Sequence, residues 1–393
     1  MPSMTSKDNT SSSSPSRPDR GAWARRHAKV SRRRSARHLL SRTQFQESLA
    51  VSPPPSVRNA SIAGLQAALS ILIALASTHL SPWPYLVGFP ALGALAALFG
   101  RYASIPRRRQ IVLICGAILT AGVCVPSLVS FAGAPPAAMV LLLALFAGAS
   151  TIAVSRWGLG GPGAVIFVFA AGAVMGPVDS WATIVERGLG TAWGAVLAWL
   201  ICALTDRLRA QAVAVPGLSS SAKPAAFSRQ LAAAGRIMAG AAIAAWIAYP
   251  AGWHYPAWAA IGAVSVMQGG HLHVTMNRSL QRMAGTVLGA CIVWAILAQD
   301  PPFWFMVGAI VVFQFVTEII IGYNYALGQI AITPMALLMT HIASPVASSN
   351  MPVERVMDTI VGAAIGIVFA VVFSSVDDRA YLARRRKKLK ALR

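Results

Sequence analysis

Negative charge is what this sequence most lacks. It holds 12 Asp+Glu against 34 Lys+Arg in 393 residues, and charged residues of both signs make up 12% of it. A water-soluble domain usually carries about 25%. That scarcity excludes an ordinary soluble surface. Cysteine is also sparse. Cys115, Cys124, Cys202 and Cys291 all fall inside apolar runs without metal-like spacing. They read as small core or lipid-facing residues, not as a disulfide or zinc framework. No nucleophile–base pair, ligand cluster or phosphate-binding glycine loop occurs at usable spacing, so the sequence predicts neither an enzyme nor a metal or other cofactor. His271-x-His273 lacks a nearby cysteine or acid cluster and reads as a loop.

Apolar runs are abundant. Hydrophobic residues form 56% of the chain, and mean hydropathy is +0.59. Twelve runs are legible, near 61–80, 85–100, 110–131, 136–155, 161–178, 183–205, 231–249, 256–268, 281–298, 302–322, 325–342 and 354–374. Several approach or exceed the ~18 residues that span a bilayer. The short run 256–268 reads as a tilted or partial span. The expectation is an all-α polytopic membrane protein of about 12 transmembrane helices.

The positive charge is distributed as a topology signal. Twelve of the 34 basic residues lie in residues 1–58 and eight lie from Arg379 onward. The rest sit mostly in short links, on alternate sides of successive runs. If the N-terminus is cytoplasmic, only Arg187 and Arg355 fall outside, each directly after a Glu. Lys and Arg are retained on the cytoplasmic side, so both termini are expected there. Residues 1–57 read as a disordered basic arm that touches anionic lipid, with no specific nucleic-acid role. Residues 58–207 form a first six-helix membrane unit, 208–228 a cytoplasmic linker, 229–380 a second six-helix unit and 381–393 a basic tail.

The two units are related by sequence. Glu186–Gly194 (ERGLGTAWG) and Glu354–Gly362 (ERVMDTIVG) both fit Glu-Arg-x-x-x-Thr-x-x-Gly, 168 residues apart. Leu92-Gly93-Ala94 matches Ile261-Gly262-Ala263, and Gly116 matches Gly285, at nearly the same offset. An even number of spans per unit makes the repeats parallel, about a pseudo-two-fold along the membrane normal.

The second unit carries the sharper motifs: Arg278-x-x-x-Arg282-Met-Ala-Gly285-Thr286-x-x-Gly289, then Asn324-Tyr325-Ala326-Leu327 and Ile332-Thr333-Pro334, after an aromatic loop at His254–Trp258. This set resembles the fusaric acid resistance protein-like family of inner-membrane proteins, related to the aromatic acid exporters. The resemblance implies a multi-pass protein of the bacterial inner membrane and proton-driven export of aromatic or other organic acids, beside a periplasmic adaptor protein. Its plant relatives, which act as anion channels, keep a passive anion channel open. A non-transporting membrane scaffold or envelope-assembly subunit is the further alternative. Longer relatives insert a soluble domain between the halves, which the short linker here lacks.

Individual residues follow from that reading. Gly194, Gly285, Gly289 and Gly362 are expected at close helix contacts in lipid. Arg187 and Arg355 are expected to form an outer ring, and Arg278 and Arg282 an inner collar at the start of their helix. A guanidinium matches a carboxylate bidentately. Thr286, Tyr325 and Thr333 are candidates for lining the substrate path, and Trp258 for stacking an aromatic substrate. Thr333-Pro334 is expected to kink its helix, paired with the disruption at Gly160–Gly163. Glu318 is expected either to carry a coupling proton or to pair with Arg278 or Arg282, and Asp358 is a second proton candidate.

Overall fold

The computed structural model describes Ser48 and residues 56–209, 226–268, 272–343 and 350–373. Most of the basic arm, residues 210–225 of the linker, His271 and the tail from residue 374 lie outside the described residues.

Among the described residues there are twelve α-helices and no strand. They are α1 (Val57–His79), α2 (Gly88–Ala94), α3 (Ile105–Phe131), α4 (Pro136–Trp157), α5 (Ala164–Gly172), α6 (Trp181–Thr205), α7 (Phe227–Ala248), α8 (Pro256–Met267), α9 (Leu272–Leu297), α10 (Phe303–Ile320), α11 (Tyr325–Ala343) and α12 (Met351–Val372). A 3-10 segment, Leu95–Leu98, extends α2. Local chemistry sets the boundaries. Ser56 and Ser180 cap α1 and α6 by accepting from the Asn59 and Thr183 amides. Proline stands in the first turn of α3, α4, α8 and α12, where its missing N–H costs nothing. Gly158 ends α4 in the left-handed region, at φ 56°.

Nine of these helices are long and apolar enough to cross a membrane. The twelve apolar runs correspond to the twelve helices, but α2, α5 and α8 fall short of spanning length. Their surroundings explain the apolarity. Every residue of α8 from Ala257 to Met267 is buried, as is α2 with its extension from Pro90 to Leu98. A helix that is apolar all round is one enclosed by other protein. The long helices behave differently: α6 leaves Leu189, Trp193, Val196 and Leu204 exposed.

Packing partners recur at a step of six helices. α2 packs on α6, and α8 on α12; α3 packs on α6, and α9 on α12. α1 lies against α10 of the other half, and α7 against α4. α5 touches α8, and α11 touches α2. The glycines permit the closest approaches. A side-chain carbon added at Gly194 would overlap the Pro90 carbonyl, and one at Gly362 the Ala259 carbonyl. Gly285 and Gly289 bring α9 against Gln329 and Thr333 of α11.

Two details differ from the sequence reading. α9 starts at Leu272, not near 281, so His273 is helical and not in a loop. Arg282 is therefore ten residues along the helix, roughly 15 Å from its start. Pro334 lies within α11, which continues through it. The Ile330 carbonyl, which proline cannot bond, lies against Gly289. In the first half the glycine-rich stretch is a complete break between α4 and α5, with positive φ at Gly158, Gly160 and Gly163.

Candidate functional site

The paired Glu-Arg motifs act as two-handed clasps, each holding a short inner helix to a long one. The glutamate takes the loop before the short helix. Glu354 accepts from the His254 backbone N–H at 3.2 Å and meets His254 Nδ1 at 2.6 Å. In the first half Glu186 is within electrostatic reach of Tyr85, in the turn before α2. The arginine turns the other way, as adjacent helix residues must. The Arg355 guanidinium lies 5.0 Å over the Trp258 ring, and Arg187 lies 5.5 Å over Phe89. Each is a cation–π contact to the short helix. Glu and Arg of one motif are thus not partners of each other. Trp258 is buried and stacks on Tyr255 at 4.2 Å.

The halves part company beyond the clasp. Arg187 also donates to Ser127 Oγ at 3.3 Å. The buried Arg355 has Nε and Nη1 without hydrogen-bond partners. One turn on, Asp358 is 0% exposed, and neither carboxylate oxygen has a hydrogen-bond partner. Arg355 is within electrostatic reach of Asp358, of Arg282 on α9 and of Tyr325 on α11. Arg282 is itself buried. It donates to the Tyr325 hydroxyl at 3.1 Å and to Gln329 Oε1 at 3.4 Å, and its Nε has no partner. Arg278 lies 5.9 Å over the Tyr325 ring. Helices α8, α9, α11 and α12 thus converge two guanidiniums, one carboxylate, a phenol and an indole on one buried site, with Arg278 at its edge. Arg355 of the expected outer ring and Arg282 of the expected inner collar lie within electrostatic reach of each other. Thr286 and Thr333 are buried on the α9–α11 contact, and Thr333 Oγ1 donates to the Gln329 carbonyl at 2.9 Å.

Glu318 has a different partner from either arginine expected. It pairs with Arg101, in the loop between α2 and α3, and Arg101 Nη1 also donates to the Glu318 carbonyl at 3.2 Å. This ion pair ties α10 to the first half. No local pattern could show it, because the partners stand 217 residues apart.

A second charged cluster, missed by the sequence reading, closes the first half where α1, α3 and α6 meet. The fully buried Asp206 carboxylate is surrounded by Arg108 at 3.5 Å, Arg109 at 3.2 Å and Arg209 at 3.8 Å. Arg108 also bonds Gln66 Oε1, whose amide reaches Thr205 Oγ1 at 2.6 Å. Burial, and then the like charge of Arg108, pull the Arg209 guanidinium down to about 10. It still remains protonated at neutral pH. The Asp206-Arg207 pair and the run of arginines at 107–109 were its sequence signal.

Residues 241–369 match the family described as fusaric acid resistance protein-like. That segment contains every residue of the second-half site. A stretch of 112 residues is 33% identical to the protein named uncharacterized membrane protein YvaC, from Bacillus subtilis strain 168. It covers 28% of this chain and 18% of that protein, so the chain matches less than a fifth of the relative's length. No solved structure matches. The chain is a multi-pass helical membrane protein whose residues 241–369 match the family described as fusaric acid resistance protein-like.

Proposed function

We propose that this protein is a transporter that exports organic anions, aromatic carboxylates foremost, across the bacterial inner membrane, with both termini cytoplasmic. The observation that carries this reading is the second-half cluster. Ionisable groups inside a membrane protein are expensive and mark substrate or proton paths. Here Arg282 and Arg355 outnumber the single carboxylate of Asp358, and all three keep polar atoms free of hydrogen bonds. A guanidinium with free N–H groups is a receptor for a carboxylate. Trp258 and Tyr325 supply aromatic faces beside it.

The recurring packing partners and the matched clasps support a parallel two-repeat architecture, with α2 and α8 enclosed at its centre. The proton site is assigned to Asp358. Glu318 is already neutralised by Arg101 and serves as a structural tie between halves.

Efflux of a panel of aromatic carboxylates from cells, with and without a proton gradient, tests the reading. Wild type is expected to move at least one panel member and to respond to the gradient. Asp358→Asn should lose that response, and Glu318→Gln should keep it. Movement that follows only the anion's own electrochemical gradient in wild type identifies a passive channel. No movement of any panel member contradicts transport and leaves the scaffold.

A further inference from the structure

The proposed anion site contains its own competitor. Asp358 and an incoming carboxylate are the same chemical group, and both seek Arg355, three residues from Asp358 on the same face of α12. With Asp358 ionised, the pair Arg282 and Arg355 already has one negative charge to balance. A second carboxylate would then lie against an ionised oxygen in a site closed to water, where charge repulsion is far less screened than in solution. With a proton on Asp358, the two guanidiniums face one anion only. The acid O–H also becomes a donor for it.

We infer, on the basis of that reading, that the anion and a proton occupy the second-half site together: a carboxylate seated between Arg282 and Arg355 requires Asp358 in its protonated form. Binding takes one anion and one proton from the same side. The proton bonds to an Asp358 oxygen, and no other bond is made or broken. The titratable and charged groups around Asp358 are few. Glu354 and Arg355 on its own helix act on Asp358 directly, and Arg355 in turn feels Arg282 on α9 and Tyr325 on α11; α9 also carries His273 and Arg278. α8 carries no charged residue, and α7 carries only Arg229 and Arg236, in its first three turns. Glu354 is engaged by His254, which leaves Asp358 as the group that responds.

The consequence is the sign of coupling. When the two ligands favour each other, they travel in the same direction, by reciprocal linkage. The acid then leaves as a neutral pair, driven by its own gradient. An inward proton gradient opposes that efflux instead of driving it, contrary to the proton-driven export that the family resemblance implies.

Calorimetric titration of the purified full-length protein with benzoate, in two buffers of different ionisation enthalpy at pH 6, 7 and 8, decides the matter. The expected result is proton uptake that rises with pH toward one proton per benzoate, as more of the unliganded protein carries Asp358 ionised. Affinity should strengthen by up to about tenfold for each unit the pH falls, while Asp358 is the group being protonated. Asp358→Asn should bind benzoate without proton uptake and with little pH dependence. Glu318→Gln should keep the wild-type proton count. Benzoate binding with no proton uptake at any of the three pH values, or with proton release, overturns the inference and leaves the anion site standing. Failure of benzoate, salicylate and 4-hydroxybenzoate to bind at any pH overturns both. The wild-type proton count is sufficient by itself if Asp358→Asn does not fold.

Discussion

Two buried charged clusters, one per half, use the same residue types to opposite ends. In the first half, three arginines converge on Asp206, and both of its oxygens are engaged. Gln66 and Thr205 extend that network across α1 and α6. In the second half, Asp358 lies one turn from Arg355, which Arg282 faces in turn, and neither oxygen of that carboxylate has a hydrogen-bond partner. A buried carboxylate without donors is costly, and a fold does not keep one for stability alone. The difference separates a structural lock from the proposed anion site.

Disrupting the lock should have the largest effect on the fold. Asp206→Ala leaves Arg108, Arg109 and Arg209 facing one another without their counter-charge. Removing one partner from a buried ion pair costs about 3–5 kcal/mol. Melting of the purified protein in detergent should fall accordingly, and a change near zero would show the cluster to be hydrated and slack. Glu318→Gln comes next. It strips the largely buried Arg101 of its charge partner but keeps a hydrogen-bond acceptor, so the loss should be about 1–3 kcal/mol by the same measurement.

The glycine contacts sharpen the comparison because they should be alike in both halves. Gly194→Ala and Gly362→Ala each push a methyl group into a backbone carbonyl of the neighbouring short helix. Overpacking of that kind costs about 1–3 kcal/mol. Equal losses in the two variants would support the repeat architecture, and a loss confined to one would weaken it. Arg355→Ala should be gentler on the fold. It gives up a cation–π contact of about 0.5–2 kcal/mol yet should remove anion transport by tenfold or more. The smallest effect is expected from His254→Ala. His254 is largely exposed, and its contact with Glu354 is screened by solvent, so a loss under about 1 kcal/mol is predicted.

Much of this was legible in the sequence, and the misses share a cause. Apolar runs located all twelve helices because lipid and the protein interior both demand apolar residues. The same signal could not separate a spanning helix from an enclosed one, which is why α2, α5 and α8 read as spans. α9 was read short because its first turns carry Asn277, Arg278, Ser279, Gln281 and Arg282. Hydropathy treats these as an end, although Ser279 and Arg282 are buried against protein. Arg278, Arg282, Tyr325, Arg355 and Asp358 were each singled out by residue type and motif, but their convergence depends on how four helices pack. The partner of Glu318 lies in the other half, beyond the reach of any spacing rule. The two Glu-Arg motifs stand 168 residues apart in the sequence. Only the fold shows that the glutamate and the arginine reach to different partners.

The central claim is that the second-half site around Arg355, and not the equivalent position at Arg187, holds the anion. Uptake of an aromatic carboxylate into inverted membrane vesicles, compared between Arg355→Ala and Arg187→Ala, tests it most directly. The two arginines occupy equivalent motifs and equivalent aromatic contacts, so general damage to the fold should be similar. Arg187→Ala is predicted to retain most of the wild-type uptake, and Arg355→Ala to lose at least about nine-tenths of it. Equal retention, or a greater loss from Arg187→Ala, would contradict the account.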